Sequence, residues 1–352
     1  MKTLLRLLLK SQNPRNRSKL AQTEKGMTLV ELLVGSIMAF LIITPMLGFV
    51  VDMLNTDRRE QVKSNTEQDL QAAVDFISQD LSQAIYIYDD NPATGIPELI
   101  KQKFIPTGAD KTPIMVFWKR QLQKNALPVT PTAADTPAPN KCKPDAKAGE
   151  ETECNDTYVL SLVAYYQIND NNATWCQPSG GNCPTRIARY QIRDGLKDPK
   201  ATDPNTNPYY TSVNKGQEPS AAFNRLFDIS KPAANVTTGD TKFNEGPDVL
   251  VNYIDHTPKT INDAECKTAL GNPTDPKDTT KFIDEATLKV TDTKGINSFY
   301  ACVDTARNVA RVTIRGNSLR RLQPSEVSSS VNNSAFFPTA TVQVQGLGGI
   351  GK

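Results

Sequence analysis

The longest uncharged apolar run in the chain lies near its start, the 20 residues from Leu32 to Val51. As a helix rising 1.5 Å per residue it spans about 30 Å, the hydrocarbon thickness of a bilayer. Pro45 sits inside this run and predicts a bend. Beyond Asp52 the pattern becomes amphipathic. Leu70, Val74, Ile77, Leu81, Ala84 and Tyr88 recur at steps of three and four, while Asp69, Asp75, Gln79, Asp80 and Gln83 take much of the other face. One long helix over 27–88 is therefore expected, stopping near Asp89-Asp90-Asn91-Pro92.

After that the period shortens to that of strands. Ile114 to Trp118 reads as a strand, and Tyr158 to Ile168 is β-branched and aromatic almost throughout. Arg186 to Arg193 reads as the second arm of a hairpin. Asp248 to Asp255 gives another strand. Ser298 to Asp304 with Ala310 to Arg315 gives a further hairpin, and Thr339 to Val344 an edge strand. Ala221 to Ile229 is expected to form a short helix. Residues 126–156, 194–220 and 257–298 read as polar, proline-bearing loops. A long helix followed by antiparallel strands with large loops is an α+β pattern, the sheet packing on the second half of the helix.

Charge is divided unevenly. Residues 1–26 carry seven basic residues and one acid, leaving 33 basic and 37 acidic residues in the rest, net −4. The basic flank places the N-terminus on the cytoplasmic side and the bulk outside. The remainder offers no basic surface to support nucleic-acid binding.

The six cysteines, Cys142, Cys154, Cys176, Cys183, Cys266 and Cys302, all lie on the expected outer side. An even count in an oxidising compartment suggests disulfides. Several connectivities are open, and the locally plausible set is Cys142–Cys154, Cys176–Cys183 and Cys266–Cys302. Zinc is the weaker alternative, because no C-x-x-C occurs and the sole histidine, His256, has no cysteine within nine residues.

One charge does not fit a plain anchor. Glu31 stands at the edge of the apolar run with no basic residue in the next 26 positions, and a carboxylate on the bilayer side is costly. The stretch Lys25-Gly26-Met27-Thr28-Leu29-Val30-Glu31 resembles the type IV prepilin signal. The resemblance implies cleavage between Gly26 and Met27 by a prepilin peptidase, N-methylation of Met27, and Glu31 as the assembly residue. Lys25, Thr28 and Leu29 complete the recognition motif. It divides the chain into a leader (1–26), a transmembrane half-helix (27–52), an amphipathic half-helix (53–90) and a periplasmic or extracellular pilin-like head (91–352).

The strand pattern, with Tyr165-Tyr166, Trp175 and Arg189-Tyr190, is similar to the larger minor pseudopilins of the J-like and PilW-like group. The Gly-Met-Thr-Leu-Val-Glu start, the helix from Met53 to Tyr88 and the oversized cysteine-bearing head resemble the cyanobacterial pseudopilins of hormogonium polysaccharide secretion. These resemblances imply a structural and assembly subunit, not an enzyme. It would wait in the inner membrane with its head in the periplasm and then join a filament at the cell envelope or surface. Other pilin or pseudopilin subunits and an inner-membrane assembly platform would be its partners, and polysaccharide export linked to gliding motility its service.

The alternative is a membrane-anchored envelope protein that binds polysaccharide through Tyr165, Tyr166 and Trp175. No cofactor is expected. Calcium is the one candidate, at Asp170-Asn171-Asn172 or Asp198 to Asn207, although no EF-hand spacing is present. The tail from Gly346 to Lys352 matches G-x-G-x-x-G and G-x-x-x-x-G-K, but no helix follows to receive a phosphate. His256 has no recognisable catalytic partners and reads as a surface or loop residue.

Overall fold

The computed structural model describes residues 28–128, 142, 154–198, 201, 208–210, 213, 216–224, 227–231, 247–292, 294–324 and 327–348. The chain divides into two compact units, Met1–Asp57 and Arg58–Lys352. Helix α1 runs from Leu29 to Ser82, 54 residues, and continues through Pro45.

In the second unit, α1 ends six residues before the stripe predicts. Ala84–Tyr88 is strand β1, not helix. The run Ile85-Tyr86-Ile87-Tyr88 is β-branched and aromatic, and β1 pairs antiparallel with β2, Lys111–Pro128. Between them lies the short helix α2, Ile96–Lys101, which buries Ile96 and Leu99. The expected strand at Ile114–Trp118 is thus the middle of a much longer one. β3 (Cys154–Ile168), β4 (Thr185–Arg193) and β5 (Asp248–Ile254) complete a five-stranded sheet in chain order, antiparallel throughout.

Residues 257–298 hold more structure than their polarity suggests. They form α3 (Glu265–Ala269), the small pair β6 (Thr274–Asp275) and β7 (Asp278–Phe282), α4 (Glu285–Leu288) and β8 (Lys289–Val290). β8 joins β9 (Phe299–Asp304), β10 (Val309–Arg315) and β11 (Thr339–Gln345) in a four-stranded antiparallel sheet. Among the described residues from Ala221 to Ile229 none is helical: Ala221, Ala222 and Ile229 lie in turns. There Phe223 and Phe227 pack on Trp118, the Phe227 ring stacked at 3.8 Å between centroids.

All three locally plausible disulfides are formed: Cys142–Cys154, Cys176–Cys183 and Cys266–Cys302. The last ties α3 to β9 and sits in a small core of its own with Leu270 and Leu288. The Cys176–Cys183 loop is held from inside. Buried Arg320 donates to the carbonyls of Pro178 (3.0 Å), Asn182 (3.0 Å) and Gly180 (3.3 Å).

Leu70, Ala73, Val74, Ile77 and Leu81 enter one core with both large sheets. Burying each of the larger side chains contributes about 1.5–3 kcal/mol. The approach is close. A Cβ on Gly316 would lie 2.8 Å from Thr66 Cγ2 and 3.0 Å from Leu70 Cδ1, so a bare backbone lets the helix in.

Alternation along the strands puts Lys119, Tyr165 and Arg189 on the helix-facing side. Lys119 Nζ donates to Asp80 Oδ1 at 2.7 Å, while Tyr165 Oη and Arg189 Nε each donate to Oδ2 at 2.7 Å. Burial works against the charged carboxylate. The Arg189, Lys119 and Tyr165 hydrogen bonds outweigh it and hold Asp80 below the usual carboxylate range.

A carboxyl whose folded pKa is depressed contributes stability above its unfolded pKa of about 4, and loses it as pH falls through the folded value. Asp80→Asn leaves buried Lys119 and half-buried Arg189 without their counter-charge, and is expected to cost about 3–5 kcal/mol. The thermal midpoint of the full chain in detergent, followed from pH 7 down to about 2, reads both effects. Wild type should lose stability on acidification, and the variant should start lower and change less.

Candidate functional site

The residues singled out at the N-terminus lie in the first unit. Lys25, Gly26 and Met27 fall outside the described residues, as does the whole leader. Thr28 immediately precedes α1, and the Leu32 N–H donates to its carbonyl. Glu31 is the third residue of the helix. Its carboxylate accepts the Thr28 backbone N–H and hydroxyl, both at 3.1 Å, and the Thr28 hydroxyl oxygen accepts the Glu31 N–H at 3.3 Å. That reciprocal pair is a capping box, which satisfies helix donors otherwise left open.

Beyond it, Leu29, Leu33, Phe40, Ile42, Leu47, Phe49 and the other apolar residues to Leu54 are exposed. α1 is the one helix among the described residues long and apolar enough to cross a membrane. Thr44 and Ser36 turn their hydroxyls back onto the helix, donating to the carbonyls of Phe40 and Leu33 at 2.8 Å each, so neither leaves an open donor on the apolar surface. Glu31 is the only charged residue of α1 before Asp52. The apolar surface and its one acid form the candidate site, and the chemistry they offer is association with lipid or other helices.

In the second unit two of the three aromatic residues named for sugar stacking are interior. Tyr165 and Tyr166 are both 0 % exposed, Tyr165 being committed to Asp80. Trp175 is half-buried, and its carbonyl accepts from Asn252 Nδ2 at 2.9 Å. Of the calcium candidates, Asp170 is engaged bidentately by Arg186 at 2.7 Å on each oxygen, which holds its carboxyl below the usual range. Residues 199–200 and 202–207 of the second loop lie outside the described residues. Among the described residues, no three His, Cys, Asp or Glu side chains converge as metal ligands. His256 follows β5 and is buried, not on the surface. Gly346 ends β11 by donating its N–H to the Asn308 carbonyl at 2.9 Å, and Gly349 to Lys352 fall outside the described residues.

A cleft of about 800 Å³ opens beside β1, lined among others by Tyr86, Asp89, Phe282, Asp284 and Thr305. Sequence reasoning missed it because most of its walls come from β1, the β6–β7 pair, α4 and the turn after β9, and only Val303 and Asp304 lie in an expected strand. Burial pushes Asp89 up despite the Asn91 N–H it accepts at 3.1 Å. Burial, and then the Asp89 charge, push Asp90 up to about 6.

Comparison with protein-family models, with curated proteins and with solved structures found no match to this chain.

A carboxyl raised in the folded state contributes stability below its unfolded pKa of about 4 and loses it as pH climbs through about 6. Asp90→Asn removes that loss. The variant should melt higher than wild type at pH 7 and no higher at pH 4, as followed by thermal denaturation in detergent. An equal gain at both pH values would reject this assignment.

Proposed function

We propose that this chain is a minor pseudopilin, a structural and assembly subunit of a type IV pilus-like or type II secretion-like filament that serves polysaccharide export and gliding motility. The observation that carries the reading is one coincidence. A basic residue and glycine, Lys25-Gly26, precede Met-Thr-Leu-Val-Glu, and the 20 uncharged residues from Leu32 to Val51 follow at once. The helix start supports it. Thr28 caps α1 and Glu31 falls on its first turn.

The mechanism follows from the cost of charge in oil. In the inner membrane the Glu31 carboxylate leans on its own Thr28. When the subunit leaves the bilayer and its apolar helix joins a bundle, that carboxylate passes into a low-dielectric interior. There it needs a cation, because an unpaired buried charge is strongly destabilising. Within the filament, the methylated ammonium of a neighbour's Met27 supplies it, and the pairing sets the stagger between subunits. Processing by the prepilin peptidase precedes this, since only a cut after Gly26 creates that ammonium. The assembly platform then draws the subunit from the membrane. A head as large as residues 91–352 suits a rare position, at a tip or in an initiation complex.

Sequencing of the mature N-terminus tests the processing step, with Met27 expected first. Glu31→Ala should leave cleavage largely intact and abolish recovery of the chain in sheared filaments. A mature chain beginning at Met1, or a Glu31→Ala variant that assembles like wild type, would sink the reading.

A further inference from the structure

β11 is the outermost strand of the four-stranded sheet, and its free side can be read from the register. The Gly346 N–H donates to the Asn308 carbonyl and the Gly316 N–H to the Pro338 carbonyl, each at 2.9 Å. Both pairs continue the β10–β11 ladder, in which Ala310 faces Val344, Val312 faces Val342 and Ile314 faces Ala340. Hydrogen-bonded and non-bonded pairs alternate along an antiparallel ladder. Ala340, Val342 and Val344 therefore turn their backbone groups toward β10. Thr339, Thr341, Gln343 and Gln345 turn theirs outward. These four residues are exposed, and among the described residues no backbone group of another element pairs with them.

The edge is also undefended. Proteins blunt free edges with charges, prolines or bulges, yet Thr-Ala-Thr-Val-Gln-Val-Gln has none of these and pairs with β10 without a register shift. The edge of the other large sheet is treated differently. The Ala84 carbonyl on β1 accepts Asn308 Nδ2 (2.9 Å) and the Leu347 N–H (2.8 Å), and the Ile87 carbonyl accepts the Thr305 hydroxyl (2.9 Å). One edge is latched and the other left open.

We propose that β11 is a docking edge for a second copy of this chain, whose own β11 adds antiparallel across a two-fold axis through Val342. In that register Thr341 faces the partner's Gln343, and Thr339 faces the partner's Gln345. Every outward N–H meets an outward C=O, and the odd-numbered side chains stay on one face. Val342 meets its twin across the axis. No charges are opposed in this register, and the nearest one, Arg311, lies one strand in on β10, opposite Gln343. The chemistry this edge fits is its own. The pairing involves neither Glu31 nor the apolar helix, so it stands apart from the pseudopilin reading.

Sedimentation equilibrium of the full chain in density-matched detergent tests it. Gln343→Pro removes an outward donor and leaves the β10 bonds intact, as edge positions tolerate. Thr341→Lys with Gln343→Lys, and Thr341→Glu with Gln343→Glu, set like charges opposite one another in homodimers. Wild type should dimerise, each variant should associate at least about tenfold more weakly, and mixing the lysine and glutamate chains should restore dimers. Wild type that stays monomeric to about 100 µM, or variants that all associate as wild type does, would overturn the proposal, the latter placing association on the apolar helix. Charge variants that fail to re-pair on mixing would also overturn it. If Gln343→Pro misfolds, the charge pairs still decide.

Discussion

Asp80 fixes how the Arg58–Ser82 part of the helix lies on the sheet. Apolar burial is non-directional, so the stripe from Leu70 to Leu81 would tolerate a slide or a turn of the helix. Three donors from three neighbouring strands do not. Lys119 on β2, Tyr165 on β3 and Arg189 on β4 converge on one carboxylate, each at 2.7 Å. A buried ion pair is weak as a source of net stability but strong as a penalty on wrong arrangements. A helix displaced by one residue would bury cations without a counter-charge, and that penalty rivals the gain from any single apolar contact. Gly316, with Thr66 and Leu70 pressed against its backbone, sets the depth of the same approach.

The chain carries two acids that matter, and they are satisfied in opposite ways. Asp80 is buried and depends wholly on residues distant in sequence. Glu31 is exposed and depends on a neighbour three positions away, Thr28. A locally satisfied carboxylate can exchange its partner without unfolding anything, whereas a tertiary one cannot. Under the proposed function this is a useful difference, since only the first acid must change environment.

Much of this organisation is legible in the sequence. The apolar run, the strands around Tyr158–Ile168 and Val309–Arg315, and the three disulfides follow from local period and proximity. What escaped had competing local signals or none. Leu81, Ala84 and Tyr88 keep helical spacing, but Ile85 to Tyr88 equally suit a strand, and pairing with β2 decides the matter. Asp80 reads as part of a solvated helix face, although it lies three residues from Ile77 and next to Leu81, at the border of the buried stripe. Lys119 had no signal beyond strand alternation, and Arg189, though singled out with Tyr190, had none that pointed it at Asp80. The elements between His256 and Ser298 are held by a disulfide, by Glu285 accepting the Cys266 and Lys267 N–H groups at 2.8 Å, and by turns. None of these leaves a hydrophobic period. Within the candidate site, Glu31 stands out in the sequence for its charge, while its capping role needs the coordinates.

One residue, Gln83, separates the end of α1 from β1. So short a joint leaves little slack to absorb tension. A tug on the Arg58–Ser82 segment would arrive at β1 almost undiminished, and β1 is riveted on both flanks, to β2 by its ladder and to the Asn308 and Thr305 loop by its carbonyls. Load would thus be shared between two sheets rather than peeling one strand away.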